Sequence, residues 1–318
     1  MGQQRRRRPP PTTTAAHALP PGAHGGEGPS LAAHLGVDPA TVLDLSQSLN
    51  PVAPDPTPIV ARYLGTIGRY PDATIATAAL AEALGVDADR VLLTNGGAEA
   101  IALVTADLGS GRVDDPEFSL YRRHLAVVDP AAPRIRSNPH SPSGRLAAPG
   151  EVAAVWDEAF YPLATGTWTR GDADRGSTVV GSLTKLFACP GLRLGYVVAP
   201  DVDTATRLRR RQPEWSVGTI GCAAVPDLLA TADLPSWSTT TARWRDELVR
   251  VLAEHDLTAD AADANWVLVD APELRTHLGR HAIAVRDCAS FGLPGTIRIA
   301  VPDPDGLARL DAALRRLT

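Results

Sequence analysis

The amino-acid sequence predicts an α/β fold: a large domain built on a mostly parallel sheet flanked by helices, followed by a small C-terminal α+β domain. Apolar strand-like runs alternate with helical patterns up to Pro200, as a parallel sheet covered on both faces requires. Beyond Pro200, charged helical patterns precede three short strand-like runs, and this segregation is typical of an α+β unit. The 318 residues, 44% of them hydrophobic, are enough to bury a large core.

The first 23 residues predict a disordered tail. Arg5–Arg8 are followed by prolines and threonines, whereas a signal peptide would continue with an apolar segment. Such a composition buries too little apolar surface to offset the entropy lost on ordering. We therefore expect an N-terminal arm and the large domain over residues 24–200, and the small domain over residues 201–318.

The predicted elements follow this division. In the large domain, a short helix with Ser30 as its N-cap precedes the strand-like LDLS, and a helical pattern ends near Gly85, a typical C-cap. RVLLTN and STVVGS each predict a strand followed by a turn and a helix, and LRLGYVV predicts a further strand. In the small domain, a long helix precedes the strand-like runs NWVLVD, HAIAVRD and GTIRIAV and a closing helix.

Composition narrows the range of partners. The net charge of −5 and pI near 5.9 argue against binding to nucleic acid or to a membrane surface, and no apolar run has the length of a membrane span. Cys189, Cys222 and Cys288 are isolated in sequence, which predicts neither a disulfide framework nor a metal site and indicates a cytoplasmic protein. Small anionic substrates remain possible because local arginines can bind them.

Two turns carry candidate cofactor chemistry. Asn95–Glu99 joins a strand to a helix through Gly96 and Gly97, so that a helix N-terminus could bind a phosphate; an ordinary tight turn is the alternative. Lys185 ends the string Ser-Leu-Thr-Lys after a strand, in a chain whose basic residues are nearly all arginine. A buried lysine is a nucleophile suited to a Schiff base, while an incidental lysine at a helix start is the alternative.

Further residues suit the same chemistry. Ser182, Thr184 and Arg193 would supply donors around a phosphate. Asp157 ends a short apolar segment and could pair with a protonated pyridine nitrogen, or merely cap a helix. Arg286 and Arg298 lie in neighbouring strand-like runs and suit a substrate carboxylate or phosphate, unless both are surface arginines over apolar neighbours.

These strings together resemble the class I/II aminotransferase family of fold-type I pyridoxal-phosphate enzymes. The resemblance extends from His24 to the C-terminus and rests on GGAEA, SNPHSPSG, WDEAF, SLTK with GLRLGY, and TIRIAV. Within the family the chain is most similar to the threonine-phosphate decarboxylases of cobalamin biosynthesis and the related histidinol-phosphate aminotransferases. This closer similarity rests on HGG at residues 24–26, LDLSQSLNP, RYPD at residues 69–72, RRQPEWSV and VRDCASFGLPG.

The resemblance implies pyridoxal 5'-phosphate as cofactor and a role for each matching residue. Lys185 would form the Schiff base and Asp157 would pair with the pyridine nitrogen. Phe118 would stack on the ring, and Tyr70 would reach the cofactor from the partner subunit of a homodimer. The residues implied to hold the cofactor phosphate are Gly97, Ala98, Ser182, Thr184 and Arg193. Those implied to bind substrate are Arg298 and, as weaker candidates, Arg286, Asn50 and His24.

Three departures from the family pattern stand out. Ser141, a cofactor-binding candidate, replaces the usual asparagine that contacts the ring hydroxyl, and Phe160 replaces a tyrosine with the same role. The spacings before and after SNPHSPSG are short, which predicts a large domain trimmed by a strand–helix unit.

The function implied is decarboxylation of a phosphorylated amino acid. An aminotransferase acting on histidinol phosphate or a similar amine is the alternative, and a degenerate, non-catalytic relative is the second.

Overall fold

The computed structural model describes residues 24–317, so the predicted tail over residues 1–23 lies outside the described residues. In this range the α-helices are α1 (Gly28–Leu35), α2 (Thr57–Ala61), α3 (Thr74–Leu84), α4 (Gly96–Leu108), α5 (Ser119–His124), α6 (Tyr161–Thr165), α7 (Leu183–Leu186), α8 (Val202–Arg209), α9 (Thr219–Ala230), α10 (Leu234–Glu254), α11 (Leu274–Gly279) and α12 (Pro304–Leu314). None of the helices over residues 24–317 is long and apolar enough to cross a membrane.

The strands alternate with these helices over the first two thirds of the chain. They are β1 (Leu43–Asp44), β2 (Val91–Asn95), β3 (Ser110–Gly111), β4 (Val127–Val128), β5 (Ile135–Ser137), β6 (Val155–Asp157), β7 (Thr178–Gly181), β8 (Leu194–Val198), β9 (Ala259–Ala261), β10 (Trp266–Asp270), β11 (Ile283–Ala284), β12 (Arg286–Asp287) and β13 (Thr296–Ala300).

The central sheet has the strand order β2-β8-β7-β6-β5. Strands β5, β6 and β7 pair in parallel, and β8 runs antiparallel to both of its neighbours. A parallel bridge between Arg112 and Arg134 links β5 to the parallel pair β3-β4. The predicted α/β fold with a mostly parallel sheet is therefore confirmed, with one reversed strand that the pattern did not reveal.

Helices cover both faces of this sheet. One face packs against α3, α7 and α9 through side chains such as Leu80, Leu186 and Leu228. The opposite face packs against α4, α5 and α8. All five residues of β8 are buried, which explains why its sequence is a continuous apolar run rather than an alternating one.

The C-terminal part forms a second sheet, antiparallel, with the strand order β12-β13-β10-β9. Its core includes Leu248 and Leu252 of α10 and Leu310 of α12. Helices α8 and α9, which follow Pro200, lie in the cores of the central sheet. Strand β1 also pairs with β11, so the N-terminal arm joins the C-terminal part. The division into two domains stays a prediction.

The connections on either side of β5, around SNPHSPSG, are short, and a large domain trimmed by a strand–helix unit stays a prediction. The segments 129–134 and 138–154, which join β4 to β5 and β5 to β6, contain no helix. Near this gap, the guanidiniums of Arg136 and Arg170 lie 5.8 and 4.9 Å from the ring of buried Trp156. Glu151, in the shortened connection, pairs with Arg136 at 2.7 Å. Charged side chains therefore contribute to the cover of this part of the sheet.

Leu228→Ala tests whether α9 is part of the central core. Leu228 is only 2% exposed, so we expect the free energy of unfolding to fall by about 2–5 kcal/mol, measured by urea denaturation. Leu64→Ala, at a 57% exposed position, is the control and should change it by less than about 0.5 kcal/mol. Equal effects of the two substitutions would contradict the assigned packing.

Candidate active site

Lys185 is the only lysine in the chain and lies in α7, directly after β7. Its Nζ donates a 2.7 Å hydrogen bond to the carbonyl of Gln47 and lies 5.9 Å from the ring centre of Phe160. Asn50 holds this turn, because its backbone N–H donates to the Lys185 carbonyl and its Nδ2 to the Leu186 carbonyl, at 3.0 and 2.9 Å. The position of the amine is therefore fixed by a segment far away in sequence.

The electrostatic surroundings of Lys185 favour the neutral amine. Burial, and then the charges of Arg298, Arg286 and Arg193, lower its pKa to about 7, while Asp44 acts in the opposite direction. Near neutral pH a large fraction of the side chain is then unprotonated. An unprotonated amine is the form that attacks a carbonyl group.

Asp44 organises the loop that faces Lys185. Its carboxylate accepts hydrogen bonds from the N–H groups of Gly28 and Ser46 and from the side chain of Gln47, at 2.9, 3.0 and 2.7 Å. The Gln47 carbonyl is consequently held against the amine. The sequence pattern did not single out Asp44 or Gln47, since their role arises only when the N-terminal arm meets α7.

The turn before α4 allows Arg193 and the start of β8 to lie close to its backbone. Gly96 has φ +75°, and a Cβ at this position would lie 2.4 Å from Nη2 of Arg193. A Cβ on Gly195 would lie 2.4 Å from the carbonyl carbon of Gly96, so glycine is needed at both positions. A Cβ on Gly97 would lie 3.8 Å from the Ser182 side chain. The structure thus brings Gly97, Ser182 and Arg193 together at a helix N-terminus, where an anion is stabilised.

Two of the predicted cofactor and substrate residues have structural partners instead. The Thr184 hydroxyl donates to the Leu194 carbonyl and accepts from the Leu194 N–H, at 3.0 and 3.1 Å, so it braces the start of β8. The Asn50 side chain accepts from Val52 and donates to Leu186. The Thr184 hydroxyl has a single proton, so donating to the cofactor phosphate would require its bond to Leu194 to break, whereas the Asn50 amide keeps a second N–H that a substrate could use.

The carboxylate of Asp157 ends β6. It accepts hydrogen bonds from the Tyr121 hydroxyl at 2.8 Å and from the Ala159 N–H at 3.0 Å, and burial raises its pKa. Phe118 packs edge-on against both Tyr121 and His24, with ring centres 5.8 Å apart in each case. Sequence reasoning missed Tyr121, although it lies only three residues after Phe118, in the string DPEFSLY.

The buried Ser141 and the exposed Tyr70 complete the set of predicted cofactor residues. The Ser141 N–H donates to the Ser137 hydroxyl at 2.7 Å. Tyr70 is 79% exposed and packs on Trp215, with ring centres 4.7 Å apart. This exposure leaves Tyr70 available to a second molecule.

Arg286 and Arg298 face each other in register on β12 and β13, and both are buried. The guanidinium of Arg298 lies 4.7 Å from the ring of Trp266, and that of Arg286 lies 4.5 Å from the ring of Phe291. Burial and then the neighbouring Arg286 lower the pKa of Arg298 to about 9. Nε of Arg298 has no hydrogen-bond partner among residues 24–317. Burial also lowers the pKa of Arg286, whereas Cys288 and Glu27 act in the opposite direction. An anion that bound beside both guanidiniums would be stabilised by both.

The family follows from comparison with known proteins. The model of aminotransferase class I and II matches residues 135–316, more than half of the chain. The chain belongs to this family. Its members are pyridoxal-phosphate-dependent enzymes, so the cofactor is pyridoxal 5'-phosphate.

Two relatives of this aminotransferase-family chain are named for different activities. The chain is 30% identical to the threonine-phosphate decarboxylase of Salmonella typhimurium, over 93% of this chain and 96% of the relative. It is also 30% identical to the histidinol-phosphate aminotransferase of Halobacterium salinarum, over 90% of this chain and 94% of the relative. Equal identity to both supports the family and leaves the reaction open.

Solved structures have the same fold. The histidinol-phosphate aminotransferase of Sinorhizobium meliloti in complex with pyridoxal-5'-phosphate has a TM-score of 0.78 at 17% identity, covering 92% of this chain and 95% of that chain. The L-threonine-O-3-phosphate decarboxylase of Porphyromonas gingivalis has a TM-score of 0.76 at 22% identity, covering 87% and 99%.

The groups around Lys185 fit pyridoxal phosphate chemically. The glycine turn, Ser182 and Arg193 offer an anion cradle in which added Cβ atoms would clash. Asp157 offers a buried carboxylate for a ring nitrogen, and Lys185 a partly neutral amine. This aminotransferase-family chain therefore retains groups that suit the phosphate, the ring nitrogen and the aldehyde of the cofactor.

Arg298→Leu tests the electrostatic coupling around Lys185. Since Lys185 is the only lysine, an amine-acylating reagent followed by peptide mass spectrometry reports its reactivity without interference. We expect half-maximal reactivity near pH 7 in the cofactor-free protein, and at higher pH in the variant, because losing a positive charge lets the ammonium keep its proton. Arg250→Leu, on the exposed face of α10, is the control. An unchanged or lowered midpoint in Arg298→Leu would contradict the coupling.

Proposed function

We propose that this protein decarboxylates a phosphorylated amino acid of the threonine-phosphate type. The observation that carries the proposal is the pair of buried guanidiniums of Arg286 and Arg298, which lie opposite each other in register and both act on the pKa of Lys185. One carboxylate needs a single guanidinium, whereas a phosphate dianion is matched by two.

The cofactor would be held by residues from several elements. Asp157 would keep the ring nitrogen protonated, Phe118 would cover the ring, and Ser141 would lie beside it. Gly97, Ala98, Ser182 and Arg193 would hold the phosphate. When bound, pyridoxal phosphate would supply an electron sink for the bond that breaks at Cα of the substrate.

The grip on the substrate would decide which bond breaks. If Arg286 and Arg298 both hold the substrate phosphate, with His24 beside them, the carboxylate is free to stand perpendicular to the cofactor ring. The bond from Cα to the carboxylate then breaks, and carbon dioxide leaves without the electron pair. The Lys185 amine, whose pKa is about 7, can hold the proton that is afterwards delivered to Cα.

An aminotransferase is the second candidate. If Arg298 alone holds the carboxylate in the ring plane, the Cα proton is lost instead, and Lys185 would accept it. The identity to histidinol-phosphate aminotransferases supports this reading as strongly as the identity to the decarboxylase supports the other. The in-register arginine pair favours the decarboxylase because it forms one site of double positive charge.

A non-catalytic relative is the third candidate. It is supported by the two short connections without helices and by Ser141 in place of asparagine. Against it, the chain retains the amine of Lys185, the carboxylate of Asp157 and the guanidinium of Arg193, which cofactor chemistry requires.

We also propose a homodimer in the cytoplasm. Tyr70 and Trp215, which pack on each other, are 79% and 58% exposed, and Ile67 and Ile75 are exposed nearby in sequence. Exposed apolar side chains that cluster favour a protein interface, from which Tyr70 would reach the partner's cofactor. The three cysteines are buried free thiols, which suits a reducing compartment.

Product analysis with threonine phosphate tests the reaction. Protein loaded with pyridoxal phosphate should form aminopropanol phosphate and carbon dioxide without any keto acid, as measured by mass spectrometry. Product formed only when 2-oxoglutarate and histidinol phosphate are supplied would establish the aminotransferase. No product under either condition would favour the non-catalytic relative.

Arg286→Ala tests whether Arg286 binds the substrate phosphate. Removing one or more charge-assisted hydrogen bonds should lower kcat/KM for the phosphorylated substrate by about 10- to 100-fold, measured from initial rates. Arg250→Ala is the control and should leave kcat/KM unchanged. An unaltered kcat/KM in Arg286→Ala would exclude Arg286 from substrate binding.

A further inference from the structure

Glu117 is a buried acid to which the family resemblance assigned no role. Glu117 directly precedes Phe118 in the sequence and is only 6% exposed. The carboxyl group accepts hydrogen bonds from the Ser137 N–H at 3.0 Å, from the Ser137 hydroxyl at 2.6 Å and from the Phe118 N–H at 2.8 Å. A carboxyl group that accepts hydrogen bonds from three protein donors belongs to a buried hydrogen-bond network.

The network continues from Glu117 to Asp157. Ser137 and Asp157 are register partners on the parallel strands β5 and β6. The Tyr121 hydroxyl donates to Oδ2 of Asp157 at 2.8 Å, and Ser137 acts on the pKa of this phenol in the direction opposite to burial. The hydroxyl groups of Ser137 and Tyr121 therefore each bind one of the two carboxyl groups and lie on neighbouring elements.

The charged and titratable groups around Glu117 do not neutralise a second negative charge. Nε2 of His140 lies 3.9 Å from Oε2 of Glu117, but burial lowers the pKa of this imidazole, and Nε2 bonds the Pro116 carbonyl at 2.7 Å. Arg136 pairs with Glu151 instead. Since two linked, buried carboxyl groups cannot both ionise without a large energetic cost, one of them keeps its proton.

We propose that Glu117 and Asp157 share one negative charge, and that Glu117 is a positioning residue which holds the proton while Asp157 stays ionised toward the cofactor ring. The Glu117 O–H then donates to Ser137, Ser137 donates to Tyr121, and Tyr121 donates to Asp157. In this arrangement the Ser137 oxygen accepts from both the Glu117 O–H and the Ser141 N–H, and its own proton is directed at Tyr121, so both hydroxyl groups are satisfied. The assignment of the charge to Asp157 rests on the cofactor role given to it under the proposed function.

The shared proton has a measurable effect on stability. Burial raises the pKa of Glu117 from 4.5 to about 7, so the folded protein keeps a proton that the unfolded chain releases. The free energy of unfolding therefore falls as pH rises from about 4.5 to about 7, and changes no further above that range. Glutamine at this position is neutral at every pH and removes this contribution.

The experiment compares urea unfolding of the full-length, cofactor-free protein as Glu117→Gln, Asp157→Asn, the double variant and wild type. The urea midpoint of Glu117→Gln should rise relative to wild type with increasing pH and level off above about pH 7. In the Asp157→Asn background this pH-dependent rise should shrink, because the like charge is gone. Glu82→Gln, on an exposed position of α3, is the control and should show no pH-dependent difference of this size.

Two results would overturn the proposal. A difference between Glu117→Gln and wild type that is the same at every pH would make Glu117 a simple hydrogen-bond anchor, and an equal pH-dependent rise in both backgrounds would exclude a shared charge. If Glu117→Gln does not fold, the infrared carboxylic-acid band of the wild-type protein decides, since it should titrate near pH 7 and otherwise be absent. Cofactor absorbance of Asp157→Asn, measured separately, tests the proposed function without affecting these outcomes.

Discussion

The positive charge gathered around Lys185 is the constraint on which the site depends. Arg298, Arg286 and Arg193 all lower the pKa of Lys185, and Arg298 and Arg286 are themselves buried. Asp44 and Glu27 offset part of this charge, and a bound anion stabilises such a cluster further. The repulsion that lowers the lysine pKa therefore also creates affinity for an anionic cofactor and an anionic substrate.

The fold holds this charge together from three distant parts of the chain. The amine follows β7 of the central sheet, the paired arginines lie on the C-terminal sheet, and the arm organised by Asp44 supplies the carbonyl of Gln47. The aromatic rings of Phe160 and Trp266 fill the space between them, with centres 4.8 Å apart. Pairing of β1 with β11, and a hydrogen bond from the Ala300 N–H to the Leu45 carbonyl, fix the arm beside the sheet that carries the arginines. Moving any of these parts would change the electrostatic environment of the amine.

Sequence reasoning succeeded where a function lies in one contiguous string and failed where it arises from packing. Lys185, Ser182 and Arg193 could be found because the strand–turn–helix order fixes their neighbourhood. The reversed direction of β8 and the packing of α8 and α9 on the central sheet depend on long-range contacts that the sequence pattern does not show. The link from Glu117 to Asp157 was equally invisible, since it needs β5 and β6 in register. Thr184 matches the family string, yet its hydroxyl serves the backbone of β8.

Borohydride reduction of the protein loaded with pyridoxal phosphate, followed by peptide mass spectrometry, tests the central assignment most directly. Because the chain has a single lysine, one phosphopyridoxyl group should appear on the peptide that contains Lys185 and be absent from Lys185→Ala. A modified α-amino group alone, or no modification at all, would contradict the account of Lys185 as the residue that holds the cofactor.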